Sequence, residues 1–183
     1  KIIVSIDEYD NTVCSLLELT SGNFACGFLY GEIDIYNEKT YDSILTIEEH
    51  EGRVCSLANM EGERILSCSF DGTLKKIKIN KNNTYVIEFT FKCYNSVVYK
   101  GIELTNSDII TISYGGKLSI WHKVTVKSYL MEKESNIDNE LFDILEIEDK
   151  NIVIATDCCL KFFDVENYEN IDIMITTDNY GQS

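Results

Sequence analysis

Proline is absent from all 183 residues, and histidine occurs only twice, at His50 and His122. So little histidine leaves few groups from which to build a proton shuttle or a metal centre. None of the seven cysteines forms a C-x-x-C pair: Cys14, Cys26, Cys55, Cys68, Cys93 and the adjacent Cys158 and Cys159 mostly sit in apolar runs. That usage reads as small buried hydrophobes in a reducing compartment, so the expected location is cytoplasmic or nuclear. No apolar run approaches the ~20 residues that a membrane-spanning helix needs, and Lys1 opens directly into the strand-like Ile2-Ile3-Val4 with no secretory start. A chain that opens on lysine rather than methionine is expected to be part of something longer. Basic side chains are outnumbered 31 to 16, for a formal charge of −15. Such a chain repels phosphate backbones, so nucleic acid is not an expected partner.

What is present is a globular composition, 44% hydrophobic and 11% aromatic, rich enough in Ile, Leu, Phe and Tyr to exclude disorder. It is also repetitive. The stretch Phe28-Leu29-Tyr30-Gly31-Glu32-Ile33-Asp34-Ile35-Tyr36 returns as Ser69-Phe70-Asp71-Gly72-Thr73-Leu74-Lys75-Lys76-Ile77, and again as Ser113-Tyr114-Gly115-Gly116-Lys117-Leu118-Ser119-Ile120-Trp121. A fourth copy runs Ala155-Thr156-Asp157-Cys158-Cys159-Leu160-Lys161-Phe162-Phe163. The equivalent turn residues Gly31, Gly72, Gly116 and Cys158 are 41, 44 and 42 positions apart. A second landmark drifts with the first: Val13-Cys14-Ser15-Leu16, Val54-Cys55-Ser56-Leu57, Val98-Tyr99-Lys100-Gly101 and Leu141-Phe142-Asp143-Ile144 are spaced by 41, 44 and 43. Two landmarks in step argue for true repetition.

Each copy reads as four short strands. Alternation in Ile33-Asp34-Ile35, Leu118-Ser119-Ile120 and Leu160-Lys161-Phe162 marks the third strand, and a glycine or small polar residue before it supplies a hairpin turn. The spacing predicts an all-β chain of about four repeating units over 12–37, 53–80, 97–123 and 140–165, with outer strands at 43–47, 85–91, 125–131 and 171–175 and a leftover strand at 2–6. A capping-box spacing at Ser135 to Asp138 precedes no amphipathic run and predicts no helix. Units of this size must stack to bury their faces, and radial stacking into a β-propeller leaves only short strand edges exposed. In the second unit the apolar residues Ile77 and Ile79 fall one step late after Leu74, which predicts a β-bulge at Lys75 or Lys76.

At these residues the chain resembles the WD40-repeat family over nearly its whole length. The second unit is nearest the family pattern, with His50, Val54 and Ser69-Phe70-Asp71-Gly72-Thr73-Leu74. The resemblance implies a structural hydrogen-bond network of His50, Ser69 and Asp71. The repeats are degenerate: the family's Trp-Asp position holds Tyr36-Asn37, Ile77-Lys78, Trp121-His122 and Phe163-Asp164. Four units are fewer than the roughly seven of most WD40 rings, which implies an open arc completed by further blades of its own chain or by a second subunit, or else a small closed ring.

No catalytic constellation accompanies the repeats. There is no G-x-S-x-G elbow, Walker loop, H-E-x-x-H or dinucleotide fingerprint, and Gly115-Gly116 is a hairpin turn. The chain is therefore expected not to be an enzyme and to need no cofactor or metal. Acidic runs at Asp7 to Asp10, Glu48 to Glu51 and Glu132 to Glu134 are expected in the connections, where a negative rim would favour a basic protein or peptide. Family contacts are often made beside the conserved valine and just before the turn. By resemblance, Arg53, Phe70, Tyr99, Tyr114 and Phe142 are the expected partner-binding residues, types enriched at interface hot spots. The expected function is a non-enzymatic protein-interaction scaffold; the alternative is an architectural subunit whose exposed blade edges pack into a larger protein assembly.

Overall fold

The computed structural model describes residues 5, 11–93, 96–125, 128–137, 140–147, 151–164 and 169–176. The leftover strand at 2–6, apart from Ser5, and the acidic run at 7–10 lie outside the described residues. The fold is all-β: sixteen strands and no helix occur among the described residues. They form four separate four-stranded antiparallel sheets, each ordered as the chain runs. The chain divides into two compact units, residues 1–97 and 98–183, of two sheets each.

The first unit holds β1 (Val13–Glu18), β2 (Phe24–Phe28), β3 (Glu32–Tyr36) and β4 (Ser43–Glu48), then β5 (Val54–Met60), β6 (Arg64–Ser69), β7 (Thr73–Ile79) and β8 (Tyr85–Lys92). Its two sheets share a core of Leu19, Ala25, Ile33, Ile35, Ile47, Val54, Leu57, Ile65 and Ile77. Each Leu, Ile or Val among them contributes ~1.5–3 kcal/mol by leaving water. Close approach depends on Gly27, where a Cβ would sit 2.6 Å from Val54 Cγ1 and strike the Ser15 hydroxyl. Ser15 Oγ instead donates across the sheets to Val54 O at 3.0 Å. The turn between β2 and β3 needs a second glycine: Gly31 has φ +106°, and a Cβ there would collide with the backbone of His50.

The second unit holds β9 (Val98–Glu103), β10 (Ile109–Ser113), β11 (Lys117–Thr125) and β12 (Ser128–Asn136), then β13 (Leu141–Ile147), β14 (Asn151–Thr156), β15 (Cys159–Asp164) and β16 (Glu169–Thr176). Leu104, Ile110, Ile112, Leu118, Ile120, Ile137, Leu141, Ile144, Ile152, Ile154 and Phe163 form its core. Polar ties rim the joint: Lys100 pairs with Asp143, and Glu146 accepts from the Thr105 N–H and hydroxyl at 2.9 and 2.7 Å. The outer strand of the first of these sheets starts at Ser128, later than the spacing predicts, because β11 runs on to Thr125. Glu132 to Glu134 consequently lies within β12 rather than in a connection.

Register irregularities recur in step with the repeat. Val13 pairs with Phe28 but Ser15 with Gly27, leaving Cys14 as the extra residue. Cys55, Tyr99 and Phe142 are extra in the same way, between Val54 and Ser56, Val98 and Lys100, and Leu141 and Asp143. Every first strand is thus bulged at its second residue. The bulge expected in β7 lies elsewhere. Pairing of β7 with β6 is unbroken from Leu74 to Lys78, whereas against β8 Lys76 pairs with Phe89 and Ile77 with Ile87, so Glu88 of β8 is the inserted residue. The late apolar residues of β7 have another cause: Leu74, Lys76 and Ile77 are all buried, on both faces of the strand. A strand buried on both faces need not alternate.

Candidate functional site

Two sets of residues converge near the turns between second and third strands, one structural and one exposed. The structural set in the first unit starts from His50, whose side chain is wholly buried. Its Nδ1 lies 2.9 Å from Asp71 Oδ2 and its Nε2 lies 2.8 Å from Ser67 Oγ. The ring thus bridges the Asp71 carboxylate and the Ser67 hydroxyl. Asp71 also accepts from the Glu51 N–H at 3.1 Å, the Thr73 N–H at 2.8 Å and the Thr73 hydroxyl at 2.6 Å. Burial pushes the Asp71 carboxyl up, but the bonds from His50 and Thr73 outweigh it and hold its pKa far below the ordinary carboxylate range.

The His50–Asp71 contact implied by the resemblance is present, while Ser69 sits one step away. Its hydroxyl donates to Gly52 O at 2.8 Å and accepts from the Asp71 N–H at 3.1 Å. Ser67, which the sequence reading passed over, is the hydroxyl on the ring. One signal marked it: Ser67 occupies the repeat position of Thr111, and Thr111 Oγ1 receives the Trp121 indole N–H at 3.2 Å in the second unit. His122, beside Trp121, pairs through Nδ1 with Asp108 Oδ1 at 2.9 Å. Asp108 Oδ1 also accepts from the Lys123 N–H at 3.0 Å, which gives this histidine a place in a strand-end tie.

The exposed set comes from the bulges and the residues before the turns. In the first unit the Arg53 guanidinium lies over the Phe70 ring, 5.3 Å from its centre, and Phe70 N–H donates to Arg53 O at 3.0 Å. The equivalent bond joins Leu29 N to Thr12 O at 3.0 Å, so the chain closes this corner alike in both sheets. Phe70 also walls a cleft of about 490 Å³ with Asp71, Thr73, Lys92 and Val97. In the second unit Tyr99 and Tyr114 meet edge to face at 6.5 Å. Tyr114 is 62% exposed and Phe142 59% exposed, whereas Tyr99 is half-buried against the core. A bulge re-aims the side chain it carries, and here it turns Phe142 outward.

At the bulges of the first unit the side chains are thiols. Burial pushes the Cys55 thiol up to about 12, and its sulfur lies 3.3 Å from Cys68 O; it is no nucleophile at neutral pH. None of the seven cysteines is in a disulfide. No group of three or more His, Cys, Asp or Glu side chains arranged to hold a metal occurs among the described residues.

No family model matches the sequence, and no curated protein matches it. Solved structures do. A chain of the mitotic checkpoint complex aligns with a TM-score of 0.76 and 14% identity, covering 90% of this chain and 51% of that one. The β-propeller domain of Cps50 (Swd1) from Myceliophteria thermophila aligns at 0.69 and 14% identity, covering 80% of this chain and 48% of that one. The likeness gives this chain a β-propeller fold of about four blades. It spans about half the length of either neighbour.

Proposed function

We propose that this chain is a non-enzymatic interaction scaffold that holds a protein or peptide through the side chains at its bulges and turns. The observation that carries the reading is the repeated bulge. One register position in every sheet carries an extra residue, and in the second unit aromatics fill it, Tyr99 half-buried and Phe142 exposed. Large rings exposed on a rigid strand corner cost little entropy to immobilise and suit interface anchors. Arg53 stacked on Phe70 gives the first unit a preorganised counterpart. One structural neighbour is a chain of the mitotic checkpoint complex, which fits a protein partner. The charge of −15 favours a basic one and disfavours nucleic acid. Among the described residues no helix is long and apolar enough to cross a membrane.

The test is affinity capture with wild type, Tyr114→Ala, Phe142→Ala and a Lys39→Ala surface control, each checked for melting temperature. The scaffold reading expects Tyr114→Ala and Phe142→Ala to lose the same captured protein, by ~1–2 kcal/mol each, at unchanged melting temperature. Equal capture by all four would refute it.

A second reading rests on the β13–β16 sheet. The face turned away from its core carries Leu145, Val153, Ala155, Leu160 and Phe162 in cross-strand register, with Leu145 63% exposed. An apolar row of this kind fits an architectural subunit that packs against another sheet, of its own chain or of a second subunit. Leu145→Glu separates the readings: it should dissolve a larger assembly in sedimentation and leave capture through Tyr114 intact.

A further inference from the structure

The fourth repeat departs from the others at its turn, and the departure builds a pair of thiols. Gly31, Gly72 and Gly116 hold this position with φ of +106°, +78° and +73°; the fourth repeat has Cys158, followed by Cys159. Thr156 replaces the glycine's conformational freedom. Its Oγ1 accepts from the Cys158 N–H at 3.3 Å and the Cys159 N–H at 3.0 Å, and its hydroxyl donates to Cys159 O at 2.9 Å. Both sulfurs are gathered onto the same oxygen, Cys159 Sγ at 3.3 Å and Cys158 Sγ at 3.9 Å. Cys158 is exposed and Cys159 buried beside it.

We propose that Cys158 and Cys159 form a bidentate site for trivalent arsenic, a soft, three-coordinate thiophile. Soft centres select sulfur ligands, and a two-sulfur chelate needs its sulfurs close together; both lie within 3.9 Å of the one Thr156 hydroxyl oxygen. Exposed Cys158 makes the first As–S bond. Cys159, the next residue in the same turn, closes the second at high effective concentration. For phenylarsine oxide in its hydrated form, two As–O bonds break and two As–S bonds form. Each thiol proton leaves with an oxygen as water, arsenic stays trivalent, and no oxidant is consumed. Closing the pair directly as a disulfide would instead demand a smaller ring across one peptide bond. Insertion of arsenic enlarges that ring by one atom and relieves the demand. Thr156 pulls the Cys158 pKa down, but the neighbouring Cys159, desolvation and the charge of Asp157 together push it above the ordinary thiol value. A protonated thiol is a slow reductant of peroxide, yet it still condenses with an arsenical hydroxide.

The experiment treats the intact chain with one equivalent of phenylarsine oxide, then challenges it with excess glutathione, which strips single-sulfur adducts. Intact-mass and peptide mass spectrometry read the product. Wild type and Cys14→Ser should retain one phenylarsenic bridging 158 and 159, released by a small dithiol. Cys158→Ser, an exposed substitution that leaves the fold in place, should retain at least ~100-fold less. Retention by Cys158→Ser at the wild-type level, an adduct mapped to other cysteines, or no retention by wild type would each overturn the proposal.

Discussion

In the β5–β8 sheet the third-strand position diagonal to the second-strand hydroxyl of Ser67 is Ile77; in the β9–β12 sheet the same position, diagonal to Thr111, is Trp121. The first sheet satisfies its hydroxyl with His50, drawn in from the linker and fixed by Asp71. The second satisfies its own with the indole N–H and has no histidine in the linker. Each sheet keeps the half of the scheme that the other has lost. The requirement that survives is physical rather than sequence-specific: a hydroxyl buried mid-sheet must have a partner, and an imidazole or an indole serves equally. That also explains why repeats with so little residue identity keep one architecture.

The largest break in this comparison is Trp121→Ala. It removes a ring that is nearly fully buried, leaves a cavity and orphans Thr111, so denaturant unfolding should show ~3–5 kcal/mol lost. Asp71→Asn comes next, at ~2–3 kcal/mol at neutral pH, because it removes the charge that His50, Thr73 and the Glu51 N–H converge on. Its pH dependence gives the sign. The folded pKa of Asp71 lies below its unfolded value near 3.9, so its stabilisation is complete above that value and fades as pH falls towards the folded pKa. Wild type and Asp71→Asn should converge in acid; a gap that persists unchanged to pH ~2 would remove the charge from the explanation.

Ile77→Trp sharpens the same contrast from the other side. Tryptophan there, as Trp121 stands in the β9–β12 sheet, should destabilise by ~1–3 kcal/mol, since Ile77 is fully buried and Ser67 is already occupied by His50. A gain in melting temperature would show instead that the two halves of the scheme are compatible. Smallest of all is Phe142→Ala, whose ring is mostly in water: a stability change within ~0.5 kcal/mol alongside lost capture separates the exposed set from the structural one.

Much of this was legible in the sequence. The turn glycines and the Val-Cys-Ser-Leu landmark reveal the period, and alternation in the third strands reveals the sheets, because those signals are local. Partnering across strands is not local. Ser67 and Ser69 have the same chemistry and both fall on the second strand, and only the register shows that Ser67 meets His50 while Ser69 meets Gly52. The β7 irregularity was visible but misassigned, since burial on both faces and a bulge disturb alternation in the same way. Turn geometry hid too. Gly22, Glu63 and Ser107 share one repeat position and a positive φ of 91°, 51° and 69°, yet only the first looks like a turn residue. A backbone bond holds Ser107 there: Ser107 N donates to Leu104 O as Gly22 N does to Leu19 O.

The bulged first strand is the claim on which both the fold and the proposed contacts depend, and cross-strand nuclear Overhauser contacts in a labelled sample read it directly. They should register Ser15 with Gly27, Ser56 with Cys68, Lys100 with Ile112 and Asp143 with Ala155. In each pair of strands they should skip one residue: Cys14, Cys55, Tyr99 and Phe142. Unbroken one-to-one pairing through those four positions would contradict the account.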